Sequence, residues 1–135
     1  MMISTKEWKY GKDFNALILR VVLGFSMFYG HGLGKMNKLF GGGEIEFADP
    51  LGIGVTFSIA LTVFAEVICA WLVVFGLFTR LALVPLIITM AVATFIFNGG
   101  QPFGKIELSM IYFFGFIALM FTGPGRFSLD HVIKG

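Results

Sequence analysis

Cysteine, histidine and charge are all scarce in this chain, and each scarcity removes a class of chemistry. The single cysteine, Cys69, allows no internal disulfide, no CxxC redox pair and no zinc site of the usual kind. Of two histidines, only His31 lies in an apolar run, while His131 sits in the polar C-terminal tail, so an internal bis-histidine haem is not expected. Charged residues make up 13% of the chain, against about 25% in soluble domains, and the net charge of +2 is scattered. No electrostatic footprint for nucleic acid results. The sequence also lacks a GxGxxG after a strand, a P-loop and a plausible Ser/His/Asp set. Neither a metal site nor an intrinsic cofactor is expected.

What fills the chain is hydrophobicity. Apolar residues reach 57% over 135 residues, with a mean hydropathy of +0.89. They fall into four stretches, giving predicted spans at about 14–34, 56–78, 81–97 and 107–123 in one membrane domain covering 1–135. Each is near the roughly 17–25 residues needed to cross hydrocarbon. No stretch alternates with the period of a barrel strand, so the backbone must satisfy itself as helices. The fold expected is an all-α integral membrane protein, a four-transmembrane-helix bundle.

The first run follows Lys6, Lys9 and Lys12 as a signal h-region would, but it is about 20 residues long and lacks an A-x-A-like cleavage site. It reads as a retained span. Four spans put both termini on one side. Lys6, Lys9, Lys12, Arg80, Arg126 and Lys134 lie on that side, against Lys35, Lys38 and Lys105 on the other. Basic residues accumulate in the cytoplasm, which predicts cytoplasmic termini and a bacterial cytoplasmic (inner) membrane location. Lys35, Arg80, Lys105, Glu107 and Arg126 are expected at the membrane surface.

Ionisable groups at membrane depth need an explanation, because each costs at least about 2.5–3.5 kcal/mol near the bilayer centre. Arg20, His31 and Glu66 qualify. Arg20 and His31 are eleven residues apart, close to three turns, and share a face. A carboxyl as deep as Glu66 must be paired or neutralised. Side chains lean toward the N-terminus of their own helix, so His31 and Glu66 converge while Arg20 and Glu66 diverge. His31 is therefore the expected partner of Glu66, and snorkelling toward headgroups is the plain alternative for Arg20. Small residues set where helices approach, with Gly30 and Gly34 as a small-xxx-small pair. Pro85, four residues into the third run, falls in its first turn, where a missing donor costs little.

Taken together, Arg20, Gly24, Gly30, Gly34 and Lys35, then Ala65-Glu66 and Gly76-Leu77-Phe78-Thr79-Arg80, then Glu107 and the closing GPGRFSLD from Gly123 to Asp130, resemble the DoxX family over nearly the whole chain. GPGRFSLD is the most specific part, since hydrophobicity does not demand it. It also has a physical account: Gly123 ends a helix, Pro124 prevents its continuation, Arg126 meets phosphates, and Ser128 caps a short turn. DoxX proteins resemble the small subunit of thiosulfate:quinone oxidoreductase. The resemblance implies a membrane partner in sulfur or thiol redox chemistry.

Three function classes follow. The first is a quinone- or partner-binding subunit, with Arg20, His31 and Glu66 as its polar centre and Tyr112 as a further donor to a quinone carbonyl. The second is a small-solute or proton pathway, which four helices rarely enclose alone and which would favour a homo-oligomer. The third is a structural or assembly protein whose polar core fixes helix register. Partners expected are membrane lipid, a quinone and a redox protein, and no catalytic turnover is expected from the chain alone.

Overall fold

The computed structural model describes residues 8–41 and 49–134; Lys6, counted above among the basic residues, lies outside them. Four helices are long and apolar enough to cross a membrane: α1 (Gly11–Phe40), α2 (Val55–Phe75), α3 (Thr79–Phe97) and α4 (Phe103–Thr122). A short α5 (Leu129–Lys134) follows. Among the described residues there is no strand.

Two helices run further than the hydropathy suggested. Beyond residue 34, Met36 and Leu39 keep one side of α1 partly buried, so the helix carries Lys35 and Lys38 with it to Phe40. At about 1.5 Å per residue its 30 residues rise roughly 45 Å, more than the roughly 30 Å of hydrocarbon. Helix α4 starts at Phe103, directly after Pro102 in an extended conformation, so Lys105 and Glu107 belong to its first turns. Pro85 also departs from expectation: α3 begins at Thr79, which puts the proline inside the helix. Its missing donor frees the carbonyl of Leu81, which belongs to a residue exposed at the helix end.

Each helix packs on its neighbour in sequence, and α4 closes the ring against α1. Met27, Ala70, Val73, Leu83, Leu86 and Phe116 meet in the centre with almost no exposure, while large apolar residues such as Ile18, Phe64, Ile68 and Phe114 point outward. That inside-out distribution suits lipid, where tight packing rather than water exclusion brings helices together. The closest approach is between α1 and α2. A Cβ at Gly24 would lie 2.8 Å from the Ala70 carbonyl oxygen, and one at Gly32 would lie 2.5 Å from that of Glu66. The packing glycines are thus Gly24 and Gly32. A Cβ at Gly30 or Gly34 would meet nothing within 4 Å, so the expected small-xxx-small pair faces outward.

At the end of the bundle that carries both termini, the chain is tied closed. Helix α2 ends on Gly76, whose φ of 69° lets the Gly76 N–H reach the Val73 carbonyl and the Leu77 N–H reach that of Leu72. Phe78 follows with φ 49°, an unusual conformation for a residue with a side chain. It is held from across the molecule. The Asp130 carboxylate accepts the N–H groups of Phe78 at 2.7 Å and Thr79 at 2.9 Å, capping α3, and the Asp130 N–H donates to the Gly76 carbonyl at 2.8 Å. Residues 123–130 therefore form a strap across this end.

Candidate ligand cavity at the loop end

At the opposite end, where α1 leads toward α2 and α3 turns into α4, the described residues enclose a cavity. Three of the helices widen there. The N–H of Leu33 bonds back to Phe28, that of Ala70 to Ala65 and that of Asn98 to Ala93, each five residues earlier, so Phe28–Gly32, Phe64–Cys69 and Val92–Phe97 are π-turns. Such turns are rare and collect at functional sites. His31 lies in the first and Glu66 in the second. The third supplies Val92, Ala93 and Phe97 to the wall of a cavity of about 630 Å³.

That cavity is apolar with a small polar set at its inner side. Leu61, Ile88, Val92, Phe97 and Leu108 form apolar wall, and Pro50, Leu51 and Ile53 approach its mouth. The segment before α2 is held in shape by the Asp49 carboxylate, which accepts the N–H of Ile53 at 3.0 Å and of Gly54 at 2.8 Å. Glu66 is 1% exposed, and the Lys35 ammonium donates to both of its oxygens, at 2.8 and 3.0 Å. His31 is half-buried beside them, its ring edge-on to Tyr112 with centroids 5.5 Å apart. Ser58, Thr62, Thr89 and Ser109 complete the polar lining. Thr62 and Thr89 donate to carbonyls of their own helices, and the Thr94 hydroxyl donates to Ser109 at 2.8 Å.

The partner of Glu66 is therefore Lys35. His31 makes no ion pair with Glu66 among the described residues, although both line the cavity. The sequence argument placed Lys35 at the membrane surface by the position of its Cα and did not allow for its long stem, which here carries the ammonium inward. Lys35 stands four residues after His31, one turn along the same face, and that spacing was the available signal. Tyr112 is 7% exposed and belongs to the cavity wall. Among the surface residues, Lys105 reaches the cavity rim, whereas Glu107 is exposed on α4 away from it.

Arg20 does not join this group. Its guanidinium points to the terminal end, where one Nη donates to the Val74 carbonyl at 3.0 Å and the other to that of Phe127 in the strap. At 1% exposure it does not snorkel to solvent; it staples α1 to the end of α2 and to the strap. Arg126 bonds through its backbone N–H to Asp13 at 3.0 Å, and Arg80 through Nε to the Met120 carbonyl at 3.1 Å.

Chemically the cavity offers an ammonium, an imidazole and a phenol near one carboxylate, under an apolar vault. It can hold a small amphiphile with hydrogen-bond acceptors at one end. Cys69 is 2% exposed inside the core, so its thiol does not face the cavity. Among the described residues no three His, Cys, Asp or Glu side chains gather as a metal site.

No solved structure matches this chain. Uncharacterized membrane protein Rv3486 of Mycobacterium tuberculosis (strain H37Rv) is similar to it, with 34% identity over 112 residues that cover 64% of this chain and 68% of the relative. The DoxX family profile matches residues 15–99, which include most of α1, all of α2 and α3, both packing glycines and the Lys35–Glu66 pair. With four apolar helices of spanning length and that match over more than half its sequence, the chain is an integral membrane protein of the DoxX family.

Proposed function

We propose that the loop-end cavity binds the head of a lipid-soluble quinone and that the protein serves a sulfur- or thiol-linked redox partner through it. The observation that carries this reading is the buried Glu66 carboxylate held by a partly exposed Lys35 on the wall of a largely apolar cavity, with His31 and Tyr112 beside it. A buried ion pair costs several kcal/mol per ion in desolvation and is a weak device for stability alone. Here it faces a space large enough for a ligand.

The residues fit a quinone. Its carbonyl oxygens need donors, which Lys35, His31 and Tyr112 supply, and its ring and tail need apolar wall, which Ile88, Val92 and Phe97 supply. A bound quinone would contribute the electron-accepting group. Lys35 would orient one carbonyl, and Glu66 and His31 would hold protons close to it. Electrons must come from a partner, since Cys69 is enclosed. A through-pathway for protons or solutes fits less well, because Arg20 and the strap tie the other end shut.

The test uses protein purified in mild detergent or nanodiscs, titrated with a short-tailed quinone by calorimetry. Saturable binding is expected, reduced at least about tenfold by Lys35→Met, the loss of one charge-assisted hydrogen bond of about 1.5–3 kcal/mol. Absence of binding, alone and with native partners, removes the quinone reading. The proposed orientation, with the terminal end in the cytoplasm, is tested separately. Lys38→Cys should be labelled from outside intact cells and Lys9→Cys should not; the reverse inverts the topology. Both lysines are exposed and native Cys69 is buried, so background labelling is low.

A further inference from the structure

A second cavity, of about 650 Å³, lies at the terminal end between the α2–α3 corner and the strap. Its charges do not cancel evenly. The Asp13 carboxylate accepts the Arg126 N–H and sits 3.9 Å from the Arg126 Nε. Asp130 is committed to the start of α3 through Phe78 and Thr79. Arg80 has no carboxylate within ion-pair distance among the described residues, and its Nε is held by a neutral carbonyl, that of Met120.

That guanidinium is also fixed in place. Gly123, with φ 78°, lets the strap pass so closely that a Cβ there would lie 2.9 Å from an Arg80 Nη. The Thr79 hydroxyl on the same wall is buried with no hydrogen-bond partner among the described residues. Phe78, Leu81 and Ile133 line the cavity as well, and each exposes 60% or more of its surface. Such residues at the end of a spanning helix face the boundary between headgroups and acyl chains.

An uncompensated, immobilised cation flanked by exposed apolar side chains matches a molecule that carries an anion and hydrocarbon together. We infer that this cavity is a binding site for an anionic phospholipid, whose phosphate meets Arg80 while its acyl chains cover Phe78, Leu81 and Ile133. A free phosphate would satisfy the guanidinium but leave the apolar surround uncovered. The site is independent of the loop-end cavity and of its ligand.

Native mass spectrometry of protein released from nanodiscs of equal phosphatidylglycerol and phosphatidylcholine tests this. Wild-type protein should retain phosphatidylglycerol about fivefold over phosphatidylcholine, the preference one arginine confers at a membrane surface. Arg80→Gln should bring the ratio to parity and Arg80→Lys should keep most of it. Equal retention of both lipids by the wild type overturns the proposal, whether or not the variants fold, as does an unchanged preference in a folded Arg80→Gln. The thermal midpoint in phosphatidylcholine discs should not rise with inorganic phosphate; an increase as large as phosphatidylglycerol gives would assign the site to free phosphate and overturn the lipid assignment.

Discussion

The two ends of the bundle treat buried charge in opposite ways. At the terminal end, Arg20 is enclosed and donates through its two Nη atoms to backbone carbonyls of α2 and the strap. At the loop end, Lys35 and Glu66 bind each other on the wall of a cavity of about 630 Å³. Both are costly groups on the same pair of helices. A guanidinium tied to the backbone of two segments fixes how they meet, whereas a pair on a cavity wall lies within reach of a ligand. On this comparison Arg20 holds the fold together, and Lys35–Glu66 is the pair that the proposed ligand would meet.

The largest effect should follow from Arg20→Met. The carbonyls of Val74 and Phe127 would lose their donors, and the strap would lose one of its ties to α1. A loss of about 2–5 kcal/mol is expected, from two carbonyls each left without a donor at about 1–3 kcal/mol. It should appear as a large fall in the thermal midpoint in detergent and as protease cleavage within residues 123–130. A variant with wild-type stability would show that the staple is dispensable and would erase the contrast between the ends.

Next in size is Lys35→Met, which strands the Glu66 carboxylate. The destabilisation should reach about 1–3 kcal/mol, limited because the cavity can admit water. The pair as a whole should matter less than either member. In Lys35→Met/Glu66→Leu no uncompensated charge remains, and such replacements of buried pairs are often neutral or stabilising. The double variant is expected to unfold near the wild-type midpoint while binding no quinone analogue in calorimetry. If it is as unstable as the single variant, the pair is a structural lock, and the two ends differ only in appearance.

These expectations also mark what could be read from the sequence. Hydropathy sufficed for four helices because the bilayer demands about 20 apolar residues whatever the packing. It misplaced the ends of α1 and α4, where Lys35 and Lys105 continue a helix that composition alone would stop. Glu66 stood out because a lone carboxylate in an apolar run is conspicuous. Its partner did not, since a lysine near a span end looks like a surface anchor until the neighbouring helix is in place. The acceptors of Arg20 are carbonyls 54 and 107 residues away, and a carbonyl carries no mark of residue type. The π-turns that open the cavity likewise have no residue signature here; FYGHG, FAEVIC and VATFIF share no pattern.

The glycines sharpen the comparison at smaller scale. Gly32 lies in the π-turn of α1 against the Glu66 carbonyl, so it sets how near Lys35 and His31 come to the carboxylate. An added methyl would sit 2.5 Å from that oxygen, and since the contact is backbone, the helices must move apart. Gly32→Ala is expected to cost about 1–3 kcal/mol, as overpacking usually does, and to weaken ligand binding without touching a polar group. Unaltered binding would mean that the pair's position is set elsewhere.

The smallest effect is expected at Gly30 and Gly34, which from spacing alone look like the packing motif. A methyl at either would meet nothing within 4 Å. What remains is backbone entropy, by which a glycine inside a helix costs roughly 0.5–1 kcal/mol relative to alanine. Gly30→Ala and Gly34→Ala should therefore leave the thermal midpoint of the monomeric bundle unchanged or slightly raised, in contrast to Gly32→Ala only two residues away. Because Gly30 and Gly32 share one π-turn and differ in what lies opposite the missing Cβ, that pair separates helix contact from helix propensity. A fall in midpoint for Gly30→Ala or Gly34→Ala that scales with protein concentration would show that this outward face meets a second copy of the chain, and the open space seen in one molecule would then be filled in the membrane.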